Sequence, residues 1–220
     1  KTINITAGKT TSFSATNAHA MGQIEVTKKS SHGDLIKDTH FEVYNSSNKV
    51  VDTIITNNKG YGISVKLPLG KYTVIETKVP GNLVLDRTPI SIELKYKDQV
   101  TEVVVESTQR VNDYQRSNLT LNKVENDWDT LQFEHNSKPL DGATIELYAK
   151  ADVYEGSKLI YLKDTLVGKE VTNKAGQVQF HNLPIGEYYA KEVIAPEGYL
   201  LFDGIWNVSI QYQNDKVETK

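Results

Sequence analysis

TNNKGYGISVKLPLGKYTVIETKVP, residues 56–80, returns as TNKAGQVQFHNLPIGEYYAKEVIAP, residues 172–196. The two stretches align without a gap. Thr56 meets Thr172, Gly60 meets Gly176, Gly70 meets Gly186, Glu76 meets Glu192 and Pro80 meets Pro196. An internal repeat decides the architecture before any local reading does. Here it means tandem copies of one β-rich domain. Runs such as KYTVIET (71–77) and GEYYAKEV (186–193) alternate in polarity with period 2 and are bounded by Gly, Asn, Asp and Pro. That pattern reads as strands and turns, and no long amphipathic helix competes with it. The fold class expected is all-β, with sandwich or barrel domains in tandem.

The chain has 220 residues, enough for about two domains with their own cores. Hydrophobic residues make up 38% and charged residues 24%, the balance of an ordinary globular chain. A net charge of −3 without a basic block argues against nucleic acid as a partner. No apolar run approaches the length of a membrane span, so no membrane insertion is expected. With no cysteine, disulfide stapling is excluded. The five histidines are scattered without ligand spacing, so neither a metal nor another cofactor is expected.

Outward from the repeat, GQIEVTK (22–28) and NLTLNK (118–123) read as first strands of the two copies. The copies differ by two polar insertions in the second, which read as loops: Glu125–Pro139 and Lys150–Lys169. A short helix or turn is expected within Asp127–His135. Residues 3–17, INITAGKTTSFSATN, resemble the closing hairpin at 92–107. The organisation expected is a closing β-hairpin of a preceding copy over 1–20, a full domain over 21–112 and a second domain over 113–220. The last strand of the second domain would be mostly missing, as in a slice of a longer array. The link at Thr108–Ser117 holds no Gly or Pro, which predicts a stiff rod.

Alternate strand residues share a face, so Lys28 joins Ile24 and Val26, and Glu76 joins Tyr72 and Val74. The second copy repeats this with Leu119, Leu121 and Lys123, and with Tyr188, Ala190 and Glu192. Each copy therefore places one lysine and one glutamate toward its core, where each needs the other. An ordinary buried ion pair satisfies the pattern. So does a reactive pair, because burial favours a neutral amine and a protonated carboxyl, a nucleophile beside a proton shuttle.

These residues resemble the Cna-B type, SpaA-like domains of Gram-positive surface adhesins and pilins. YYAKEVIAPEGY (188–199) resembles the family's glutamate motif, and the two lysine strands and PLDGAT (139–144) resemble other family segments. The first copy departs from the motif, with Val79 and Asn82-Leu83 in YTVIETKVPGNL (72–83). The resemblance implies a transthyretin-like Greek-key sandwich. It implies an isopeptide bond from Lys28 or Lys123 to an Asn or Asp on the last strand, promoted by Glu76 or Glu192 as self-chemistry rather than enzyme turnover. Asn17 fits the acceptor position of the preceding copy. In the first full copy, strand alignment puts Ser107 at that position, on the Val103/Val105 face, whereas spacing to the next lysine puts Asn112 there; Ser107 favours a non-covalent Lys28–Glu76 pair. The implied role is a structural stalk of an extracellular, cell-wall-attached surface protein, with neighbouring repeat domains as partners. The alternative is an adhesin module whose inserted loops bind a host matrix or cell-surface protein.

Overall fold

The computed structural model describes residues 2–10, 12–125, 128–129, 134–135 and 138–214. The first copy contains β1 (Met21–Ser30), β2 (His40–Asn45), β3 (Val50–Ile55), β4 (Tyr61–Ile63), β5 (Leu67–Pro68), β6 (Gly70–Lys78), β7 (Ile90–Leu94) and β8 (Val103–Asn112). The second contains β9 (Arg116–Asn122), β10 (Trp128–Asp129), β11 (Glu134–His135), β12 (Thr144–Ala149), β13 (Val153–Glu155) and β14 (Lys158–Tyr161). It continues with β15 (Leu166–Val171), β16 (Gln177–Pro184), β17 (Gly186–Ile194) and β18 (Ile205–Ile210).

Each copy is a two-sheet sandwich. In the first, β3-β2-β6-β7 form one antiparallel sheet, and β1 leads the other. β1 pairs antiparallel with β4 and β5 on one side and parallel with β8 on the other. Between the sheets lie Ile24, Val26, Phe41, Val43, Ile54, Tyr72, Val74 and Leu94. The second copy repeats the plan with β15-β12-β17-β18 facing β16-β9. Its core is built from Ile145, Leu147, Val178, Phe180, Leu183, Tyr188 and Ala190. Among the described residues β9 pairs only with β16. The expected last strand of this copy falls partly on residues 215–220, outside the described residues.

Two expectations need correction. Among the described residues of 3–17 there is no strand, and a turn closes with Lys9 N donating to the Thr6 carbonyl at 3.2 Å. Ile5 and Phe13 are exposed, and a lone hairpin without a packed face is marginal in water. Within Asp127–His135, where a short helix or turn is expected, the described residues are β10 and β11, paired as a short ladder, and the residues between them lie outside the described set. The second insertion is not all loop, because Val153–Tyr161 folds into the hairpin β13–β14, with Val153 and Glu155 buried.

The repeated residues explain themselves in the structure. The Oγ1 atoms of Thr56 and Thr172 accept from the backbone N–H of Thr39 and Ala143 at 3.0 and 2.9 Å, both buried. The Oη atoms of Tyr72 and Tyr188 donate to the carbonyls of Pro68 and Pro184, each at 2.7 Å. Gly60 and Gly176 have φ of +63° and +70°, and a Cβ there would stand 2.4 Å from the carbonyl oxygen of Lys28 or Lys123. Their own carbonyls accept from the Lys28 and Lys123 backbone N–H at 2.7 Å. The glycine in the repeat thus clamps the backbone of the lysine singled out in each copy, a close approach that only glycine permits.

Candidate functional site

In the first copy the site is assembled from three strands on two sheets. β1 alternates strictly, and Ile24, Val26, Lys28 and Ser30 point inward. β6 turns Tyr72, Val74 and Glu76 inward from the facing sheet. Lys28 and Glu76 are both 0% exposed, with Nζ 3.8 Å from Oε2. The amine is held by a hydrogen bond to the Lys29 carbonyl at 3.1 Å.

The third group is Asn112, which is 3% exposed at the end of β8. Its Nδ2 donates to Glu76 Oε1 at 2.5 Å. The Asp86 backbone N–H donates to the same Oε1 at 3.2 Å. Ser107 faces the opposite way: it is exposed, and its hydroxyl donates to Glu25 Oε2 at 3.0 Å on the outer face. The expectation that Ser107 shares an inward face with Val103 and Val105 is therefore corrected. Val104 and Asn112 are buried, and Val105 is 48% exposed. β8 runs straight to Asn112 in parallel register with β1, Met21 opposite Val103 and Ser30 opposite Asn112. Three consecutive valines at 103–105 hide the parity, which only pairing with β1 reveals.

Burial sets the electrostatics. It lowers the Lys28 pKa from the ordinary 10.5 to about 8, against the opposing pull of Glu76, with Arg110 pushing the same way as burial. It raises the Glu76 pKa, and Lys28 and the Asn112 hydrogen bond only partly offset this. Arg110 is itself tied to Asp86 and to the Thr88 carbonyl. Glu76 Oε2 and Asn112 Oδ1 are buried without a hydrogen-bond partner, which a settled polar core avoids. The carboxyl group bridges the other two side chains: Oε2 faces the amine, and Oε1 holds the carboxamide nitrogen. Such a group can take a proton from an attacking amine on one oxygen and deliver one to a departing nitrogen from the other.

Among the described residues the second copy holds the lysine and glutamate of this arrangement. Lys123 Nζ donates to Glu192 Oε2 at 3.3 Å, and the Phe202 backbone N–H donates to the same oxygen at 2.8 Å. Phe202 lies ten residues after Glu192, as Asp86 does after Glu76, so the two sites are in register. The Lys123 side chain is 18% exposed and lies beneath the rings of Phe202 and Trp206, 5.7 and 5.9 Å from their centroids. Those rings stack 4.8 Å apart. Asn207 pairs with Tyr189 and is exposed, away from Lys123. Asn17 is exposed in the segment before β1 and belongs to neither site. The aromatic cover was not read from the sequence, although the fall of Trp206 on the inward alternation of β18 was a usable signal.

Comparison with known proteins identifies the domain family. The family profile described as SpaA, prealbumin-like fold domain, matches residues 22–109 and 118–220. A trypsin-resistant surface T6 protein of Streptococcus pyogenes is 26% identical over 113 residues, covering 50% of this chain and 21% of that protein. The structure of the Bacillus anthracis TIE protein superposes with a TM-score of 0.61 at 26% identity, covering 89% of this chain and 32% of that one. BcpA, the major pilin subunit of Bacillus cereus, covers 87% of this chain and 95% of its own at 12% identity and a TM-score of 0.39. This chain thus spans about a fifth and a third of the first two relatives. With two tandem matches that take in most of its length, and two sandwiches of one plan, the chain belongs to the SpaA family of prealbumin-like fold domains.

Proposed function

We propose that this chain is a structural stalk segment of an extracellular protein on a Gram-positive bacterial surface, attached to the cell wall, and that its first domain is closed by a Lys28–Asn112 isopeptide bond. The observation that carries the reading is the convergence of a buried amine, carboxyl and carboxamide, with the carboxyl touching both of the others. Neutral Lys28 attacks Asn112 Cγ with its electron pair. Glu76 accepts the proton that the amine sheds and supplies one to the departing nitrogen. The C–N bond of the carboxamide breaks, the new amide forms and one ammonia leaves. The balance needs no oxidant, metal or cofactor, and the reaction turns over once, within the chain; this is not enzyme activity toward an outside substrate.

The position of the bond suits a stalk. Chain enters the first domain at the start of β1 and leaves at the end of β8, and these strands are parallel neighbours. Pulling the ends apart shears that ladder, and a bond from Lys28 to Asn112 carries the load past everything between them. Neighbouring repeat domains of the parent protein are the partners in this reading. The rival reading, a host-binding surface on the inserted loops of the second domain, loses its most prominent element, because the β13–β14 hairpin is engaged by the first domain.

Accurate intact mass of the folded chain tests the proposal. The expected value is the sequence mass less one ammonia, with a Lys28–Asn112 linked peptide after digestion. The full sequence mass would refute it.

A further inference from the structure

The two domains meet through an element that only the second possesses. In the first domain β2 passes to β3 by a short turn, whereas in the second β12 passes to β15 through the β13–β14 hairpin. Glu155, at the end of β13, is 1% exposed. Its carboxylate is held by two side chains. Arg116, at the start of β9, brings Nε to 2.8 Å from Oε1 and donates from Nη2 to Oε2 at 2.9 Å. His32, in the turn after β1, places Nε2 2.7 Å from Oε2. One buried carboxylate of the second domain is thus shared with a side chain of the first.

The tip of the hairpin completes the joint. Ser157 donates from its hydroxyl to Asp34 Oδ1 and from its backbone N–H to Asp34 Oδ2 at 3.4 Å. Tyr114, in the linker, donates to the same Oδ2 at 2.9 Å, and its ring stacks on His32 at 5.3 Å. Gly156 sits between them at φ +60°, and a Cβ there would lie 2.1 Å from Tyr114 Oη and 2.2 Å from Asp34 Oδ2. Any side chain there would displace the Tyr114 hydroxyl and the Asp34 carboxylate, and the positive φ itself favours glycine.

The linker offers no compensating slack. Tyr114 and Gln115 are 5% and 4% exposed, and Tyr114 packs on Val79 and Leu83. The Gln115 N–H donates to the Asn82 carbonyl at 2.6 Å, and the Val84 N–H to the Asp113 carbonyl at 2.8 Å.

We propose that the β13–β14 hairpin is an orientation lock: its Glu155-Gly156-Ser157 tip docks on the His32–Asp34 turn and Tyr114 and holds the two domains at one fixed angle. The lock is independent of the Lys28–Asn112 bond, since none of its contacts uses those side chains. It turns two sandwiches joined by three linker residues into one rigid body.

Amide nitrogen relaxation on the whole chain tests this, because it reports whether the domains tumble together. In the unmodified chain one rotational diffusion tensor is expected to fit amides of both domains. Gly156→Val should split it into two tensors with shorter correlation times, while core amide shifts in each domain stay in place. His32→Ala with Asp34→Ala, two changes in the turn after β1, should do the same and stands as the test if the glycine variant misfolds. Separate tensors in the unmodified chain, or a single tensor kept in the loosened variants, would overturn the proposal. Intact mass measured on the same samples keeps a failure of the lock distinct from a failure of the crosslink.

Discussion

Replacing Asn112 with alanine removes the acceptor carboxamide and leaves Lys28 and Glu76 in place. If the bond forms, the folded chain is closed between residues 28 and 112, a loop of about 85 residues, and losing that closure costs about 4–5 kcal/mol of chain entropy. The lost hydrogen bond to Glu76 adds about 1–2 kcal/mol. For a domain of this size the sum lowers the melting temperature of the first domain by roughly 25–45 °C. If Asn112 is only a hydrogen-bond donor, the same substitution costs about 1–3 kcal/mol and lowers it by roughly 5–20 °C. Thermal unfolding followed by circular dichroism, with intact mass on each sample, separates the two. The expected result is a large drop in melting temperature together with recovery of the missing ammonia mass. A small drop, with the parent chain and Asn112→Ala each at its own full sequence mass, would refute the reasoning.

Other expectations follow from the same geometry. Ser107→Ala should keep the one-ammonia deficit from its own sequence mass and move stability by no more than about 0.5 kcal/mol, because its hydroxyl sits on the outer face; loss of the crosslink in this variant would reinstate Ser107 as part of the site. In uncrosslinked Asn112→Ala, the Lys28 pKa is lower folded than unfolded, so the unfolded chain binds the extra proton between about pH 8 and 10.5. Stability should therefore rise by about 3 kcal/mol as pH climbs through that window, measurable by denaturant titration, and a flat or falling profile contradicts the burial argument. Crosslinking of freshly folded chain should first accelerate with pH as Lys28 loses its proton, then slow as Glu76 loses the proton that burial helps it keep. Native amine labelling should modify Lys123, whose side chain is 18% exposed, and spare Lys28; protection of Lys123 together with loss of a second ammonia would mean that it has found an acceptor.

Much of the molecule was legible in the residues themselves. The gapless repeat declared two copies of one domain, and period-2 alternation put Lys28, Glu76, Lys123 and Glu192 toward the cores, because strand geometry leaves an alternating residue no other face. What local pattern left open belongs to tertiary structure. Ser107 and Asn112 competed as acceptor because VVV at 103–105 carries no parity; the parallel pairing of β8 with β1 turned Asn112 inward and Ser107 outward. The inserted Lys150–Lys169 segment read as a loop because its buried carboxylate makes sense only beside Arg116 and His32, two residues distant in sequence. Alternation is a property of the strand alone, so sequence by itself determined it. Register and domain docking belong to pairs of segments, and only the folded chain brings those together.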